Sequence, residues 1–193
     1  MLKKTTRKVL GVYERIPLNS TLEQKKKLCI KRLKIFEKKK KIKKVDDWYK
    51  IRFSDIYPII DPYLKKKHIP IDVWLTDIYP KYDFLPWLFL NNPANIWKHK
   101  KNRIRYIKWL RKRLKIKNLA GFYKVKYIDV IKHHNGDLLG SGIFVNGKRI
   151  HFSLYELLIE AYPSFDWKFW MLSQAPTKIW NKLENRKKFL DWF

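Results

Sequence analysis

Apolar residues along this chain come in short clusters separated by polar runs, and most clusters have helical spacing. The first predicted helix follows Ser20. Ser20-Thr21-Leu22-Glu23 has the form of a capping box, in which the serine hydroxyl accepts from the Glu23 backbone and the carboxylate reaches back. Leu22, Leu28 or Cys29, Leu33 and Phe36 then supply a thin apolar stripe, with lysine on nearly every other face. Ser54 or Asp55 is placed to cap a short helix limited by Pro58 and Pro62, and Lys65–Lys67 with His68 read as a polar loop. Asp72 is a predicted cap for Val73–Tyr79, stopped by Pro80, and Asp83 for a short segment through Trp87. Asn92-Pro93 opens a long helix through Trp97 to Ile116, since proline is welcome in a first turn. Ile104, Ile107 and Leu114 form its apolar side, beside Trp97, Tyr106 and Leu110.

The second half follows the same plan. Phe122-Tyr123 matches the Trp48-Tyr49 block, and Asp129–Gly136 reads as a short helix closed by glycine. Gly142–Phe152 places Asn146-Gly147 between two β-favouring runs, a strong signal for a hairpin with a type I′ turn. Ser153-Leu154-Tyr155-Glu156 is a second capping box, predicting a helix through Ala161 that Pro163 ends. Ala175-Pro176 starts a last helix carrying Ile179, Trp180, Leu183, Phe189, Leu190 and Trp192.

The likeness of the two halves is an internal repeat. Tyr79–Leu110 aligns with Tyr162–Phe193 at an offset of 83, without a gap, matching Asp83/Asp166, Trp87/Trp170, Pro93/Pro176, Trp97/Trp180, Asn102/Asn185, Arg103/Arg186 and Trp109/Trp192. Upstream, Lys41–Ile56 aligns with Lys115–Val130 at an offset of 74. The second copy therefore carries about nine extra residues, where the hairpin falls. The expectation is a mainly α protein of two tandem Trp-rich modules with one β-hairpin in the second. Residues 1–19 form a basic arm, 20–116 the first module and 117–193 the second, with Asn102–Ile116 joining the modules. The repeated pairs Trp87/Trp170, Trp97/Trp180 and Trp109/Trp192 fall on apolar sides and are assigned, with Trp48 as a further anchor, to the core rather than to base stacking.

Charge changes this picture most. Lys and Arg total 45 against 17 Asp and Glu, a formal net charge of +28. Repulsion of that size calls for a polyanion. The cations form runs: Lys3, Lys4, Arg7 and Lys8 in the arm; Lys25, Lys26 and Lys27; then Lys38, Lys39, Lys40 and Lys41, continuing to Lys44. The fourth run is Lys98, Lys100, Lys101, Arg103, Arg105, Lys108, Arg111, Lys112, Arg113 and Lys115, with no acid between its ends. These are the candidate phosphate-contacting residues. At 46% hydrophobic the chain is globular rather than disordered despite its charge.

Catalytic and metal signatures are lacking. His68, His99, His133, His134 and His151 have no ligand spacing, and Gly140-Ser141-Gly142 is not followed by the lysine of a phosphate loop. The recurring Asp55/Asp129 and Asp83/Asp166 sit where helix caps belong. Cys29 is the only cysteine, which excludes an internal disulfide. No apolar run is long enough to span a bilayer; the densest, Phe84–Leu90, contains a proline. No cofactor, metal or small-molecule substrate is expected.

The pattern DWY…YP…W…P…W…NR…W, from about Asp47 onward, resembles a Trp-rich tandem repeat of algal and protist proteins, a family without an established activity. The wider profile, small, very basic and rich in lysine and aromatics, is similar to that of lineage-specific organellar ribosomal proteins. That resemblance implies a non-catalytic RNA-binding component of a mitochondrial ribosome, contacting ribosomal RNA and neighbouring ribosomal proteins. The alternatives are a DNA-binding chromatin or mobile-element accessory protein and, third, a subunit of an organellar enzyme or membrane complex.

Overall fold

A computed structural model describes residues 19–56, 59, 71–90, 96–133, 138–139, 142–145 and 148–193. Lys3, Lys4, Arg7 and Lys8, the loop around Lys65–Lys67 and His68, Asn92-Pro93, Gly136 and the Asn146-Gly147 turn lie outside them. The chain is mainly helical and divides into two compact units, 1–93 and 94–193.

In the first unit, α1 (Leu22–Lys40) starts one residue later than the sequence suggests. Thr21, not Ser20, accepts from the Gln24 backbone, and the Gln24 side chain accepts from the Thr21 N–H at 2.8 Å. The buried face is Cys29, Arg32, Leu33 and Phe36, while Leu22 stays 57% exposed. A 3-10 turn at Val45–Lys50 follows, then one helical turn at 53–56. The second helix, α2 (Ile71–Ile78), contains Asp72 in its first turn rather than being capped by it. A 3-10 turn at Pro86–Leu88 ends the described part. Cys29, Leu33 and Phe36 of α1 share one core with Trp48, Ile56, Trp74, Leu75 and Phe84.

The second unit opens on a 3-10 turn, Ile96–Lys98, and α3 (Lys100–Arg113). The single long helix expected from Trp97 to Ile116 is thus broken at His99. Side chains take the carbonyls that a continuous helix would use: Asn102 Nδ2 donates to the Ile96 oxygen at 2.9 Å, and Arg103 donates to those of Trp97 and Lys98. Next come a 3-10 turn at Leu119–Lys124, α4 (Tyr127–Ile131), and strands β1 (Ile143–Val145) and β2 (Lys148–Ile150), paired antiparallel with Val145 opposite Lys148. Gly142, at φ +71°, precedes β1; an added Cβ would stand 2.6 Å from the Ile150 carbonyl, so only glycine fits. Helix α5 (Leu154–Ala161) has the expected capping box, with Ser153 accepting from the Glu156 backbone. Two 3-10 turns, Phe169–Met171 and Thr177–Asn181, lead to α6 (Leu183–Trp192). The expected last helix is also broken, at Lys182, with Asn185 donating to the Ile179 carbonyl at 2.8 Å.

The offset of 83 carries α2 onto α5, the turn at Pro86–Leu88 onto Phe169–Met171, and the first residue of α3 onto that of α6. The offset of 74 carries the turn at Val45–Lys50 onto Leu119–Lys124. Bonds repeat as well. The Tyr49 hydroxyl accepts from the Leu85 N–H at 2.9 Å, and the Tyr123 hydroxyl accepts from the Lys168 N–H at 2.8 Å. The phase of the repeat differs from the sequence reading. The units part at Pro93, not Ile116, and the basic helix leads the second unit instead of linking two modules. The reason is packing: Tyr106, Ile107 and Leu110 of α3 are fully buried, and α3 lies along α5.

The tryptophans divide by depth. Trp48, Trp87 and Trp97 are buried; Trp109, Trp170 and Trp180 are half-buried; Trp192, assigned to the core from sequence, is 51% exposed. Trp74 and Trp167, outside the set assigned to the core, are buried.

Candidate nucleic-acid interface

A cationic cluster is built at the C-terminal end of α3. A helix leaves its last carbonyls unpaired, and a left-handed residue lets the following N–H groups turn back to them. Lys115 does this at φ 56°, and the Ile116 N–H reaches the Arg111 carbonyl at 2.9 Å. The reversal sets Lys115 and Lys117 beside Lys108 and Lys112 of the last two helical turns. Together with Arg111, Ile116 and Tyr162 they line an open basin of about 660 Å³ with no acid in its wall. All four lysines are exposed. Arg111 is half-buried; it donates to the Ile116 and Lys117 carbonyls at 3.1 and 2.6 Å, with its guanidinium 5.8 Å from the centre of the Tyr162 ring. It therefore braces the reversal while adding charge. The wall is largely the carbon surface of these side chains with Ile116 and Tyr162, on four lysines that are themselves exposed.

The same positions recur in the first unit. The offset of 74 maps Lys108, Lys112, Lys115 and Lys117 onto Lys34, Lys38, Lys41 and Lys43, all exposed. Lys41 is also left-handed, at φ 55°, and the Ile42 N–H reaches the Glu37 carbonyl at 2.9 Å. Among described residues other than glycine, these two lysines alone have positive φ. Tyr79 takes the place of Tyr162. Glu37 takes the place of Arg111 and accepts from the Tyr79 hydroxyl. Burial pushes the Glu37 carboxyl up, and the nearby Lys34 charge opposes the shift. The second unit is thus the more cationic of the two at this place.

Other expected contacts are arranged differently. Arg103 is withdrawn from solvent, at 7% exposure, and forms two 2.7 Å bonds to Glu160 of α5 with its guanidinium 4.5 Å from the Phe152 ring centre. Its role is structural, because a buried guanidinium needs a carboxylate and sequence periodicity cannot reveal that pairing. Lys40 pairs with Asp55 at 3.0 Å. Lys25 and Lys26 are half-buried, while Lys27, Lys39, Lys98, Lys100, Lys101 and Arg113 are exposed, and Arg105 is half-buried. Lys34 and Lys117 complete the two sets but fall outside the candidate contacts drawn from the charge runs; the repeat offset, applied to lysines as well as aromatics, finds them.

Two of the recurring aspartates pair with lysines instead of serving as N-cap residues, and a third caps from within its helix: Asp55 pairs with Lys40. Asp129 sits inside α4 and accepts from the Lys126 N–H at 3.0 Å; Asp166 pairs with Lys168. The clearest carboxylate cap is Asp47, which accepts from the N–H groups of Lys43 and Lys44 and from the Lys50 ammonium. Among the described residues no group of three or more His, Cys, Asp or Glu gathers to hold a metal, and no helix is long and apolar enough to cross a membrane. The chain matches no protein-family model, no curated protein and no solved structure.

Proposed function

We propose that this protein binds structured RNA through backbone phosphates, as a non-catalytic component of a mitochondrial ribosome. The observation that carries the reading is the pair of lysine sets centred on left-handed Lys41 and Lys115. Glycine is the unstrained residue at such a helix end, and a side chain there costs on the order of 1 kcal/mol. Lysine at both positions puts charge ahead of local stability, a pattern typical of functional sites. Phosphate contacts of this kind position a protein without reading sequence. The ribosomal setting rests on the composition, the basic arm and the profile that resembles organellar ribosomal proteins.

The test is salt-dependent binding of the full chain to a structured RNA. Affinity should fall steeply between about 50 and 200 mM salt. Replacing Lys108, Lys112, Lys115 and Lys117 together with Gln should lower the log–log slope by about 3. Arg103→Lys should lower stability and leave the slope unchanged. An unaltered slope in the fourfold variant overturns the assignment of this basin. Preference for duplex DNA at matched salt transfers the reading to a DNA-binding accessory protein. Cosedimentation with mitochondrial ribosomal particles tests the setting.

A further inference from the structure

Helices α1, α3 and α6 occupy equivalent places in the repeat, but only two of them are covered. The first two bury one face at the spacing i, i+3, i+4, i+7: Cys29, Arg32, Leu33 and Phe36 in α1, then Arg103, Tyr106, Ile107 and Leu110 in α3. Shifted by 83, the α3 face becomes Arg186, Phe189, Leu190 and Phe193. No residue of α6 is buried; Leu190 is 70% and Phe193 93% exposed. Yet α6 is seated on its preceding turn as α3 is, by the same asparagine-to-carbonyl bond.

The helices that share a core with α1 and α3 are both apolar, with acids and no bases. α3 is covered by α5, LYELLIEA, an apolar helix with two glutamates and no base. α1 shares its core with α2, IDVWLTDI, which has two aspartates and no base. In the second unit Glu160 grips Arg103 with two bonds. Arg186 stands at the Arg103 position, exposed, and no carboxylate among the described residues pairs with it.

We propose that the Arg186–Phe189–Leu190–Phe193 face of α6 docks an acidic apolar helix of a partner protein. A carboxylate of that helix holds Arg186 as Glu160 holds Arg103, and its apolar side covers Phe189, Leu190 and Phe193. The occupant is a protein helix because the face is apolar and because helices share the cores of its two equivalents. It is not a second copy of this chain, since a net charge of +28 on each copy repels its like. The proposal is independent of the lysine sets.

The probe is a lactam-bridged, fluorescein-labelled peptide of the α5 sequence, SLYELLIEAY, titrated with the full chain in about 0.3 M salt, where nonspecific attraction is screened. Saturable binding by anisotropy is expected. Leu190→Asp, which alters an exposed position and should fold, should weaken it at least about tenfold. Arg186→Glu should weaken it similarly, and a peptide with Glu160→Lys should restore binding to Arg186→Glu but not to the parent. RNA affinity should be unchanged in Leu190→Asp, which separates this proposal from the RNA reading. No binding by the helical peptide, or binding indifferent to Leu190→Asp and to the charge exchange, overturns the proposal. So does concentration-dependent dimerisation, or adsorption to anionic vesicles, that Leu190→Asp abolishes, since either assigns the face to another occupant.

Discussion

Lys41 and Lys115 show how a single residue can work against the fold for the sake of charge. Their left-handed backbones close α1 and α3, a place where glycine has no Cβ to strain. Lys41→Gly and Lys115→Gly should therefore each stabilise the protein by about 1 kcal/mol. Each should also weaken RNA binding by the loss of one phosphate contact. Thermal melts and salt titrations of the two variants measure the opposed effects, and a loss of stability would show that the lysines are there for packing. Asp47 makes a second prediction at this scale. Hydrogen bonds from the Lys44 and Lys43 backbones and the Lys50 ammonium lower its carboxyl to about 2. A depressed folded value means that its contribution is present above the usual carboxylate range near 4 and is lost as pH falls through about 2. The Asp47 side-chain carbon should titrate near pH 2, with the first unit loosening over that interval. A midpoint near 4 would mean that the cap is not formed. Neither feature was legible from pattern alone. Lys41 and Lys115 read as members of charge runs, and Asp47 read as the opening of an aromatic block.

At the scale of elements, the repeat is held by paired bonds that the alignment identifies without describing. Tyr49 and Tyr123 each accept a backbone N–H from a distant loop, at 2.9 and 2.8 Å. Burial pushes the Tyr49 hydroxyl up, with the Leu85 bond opposing the shift. Tyr49→Phe and Tyr123→Phe should each cost about 1 kcal/mol, by similar amounts, because each leaves one backbone donor unsatisfied. Denaturant melts of the two variants check that equality, and a cost in one alone would break the structural equivalence. The sequence placed α5 to the residue because Ser153 and Glu156 form a self-contained local motif. It placed α1 one residue early, because Ser20 and Thr21 are both competent caps and only the tertiary setting chose Gln24 over Glu23 as the reciprocal partner. The long helices expected after Pro93 and Pro176 instead break at His99 and Lys182. Asn102 and Asn185 divert backbone carbonyls there, and no proline or glycine marks the spot.

For the molecule as a whole, charge and repetition act together. The basic helix α3 is covered by the acidic apolar α5, where Glu160 neutralises Arg103, while the lysine sets of both units stay turned to solvent. If the lysine sets act alike, neutralising Lys34, Lys38, Lys41 and Lys43 should lower the salt slope as the second set does, and the two reductions should add. A single dominant set would break that additivity. Composition, charge, helical class, the two-copy alignment and the capping boxes follow from the chain itself, because each rests on local periodicity or on counting. Where one copy gives way to the next was decided only in three dimensions. Periodicity marks that α3 has an apolar face, but not that α5 lies against it and that Glu160 takes Arg103 out of the charged surface. Packing within each unit likewise buries Trp74 in the first and Trp167 in the second and leaves Trp192 half exposed, since an indole's depth depends on what comes to cover it.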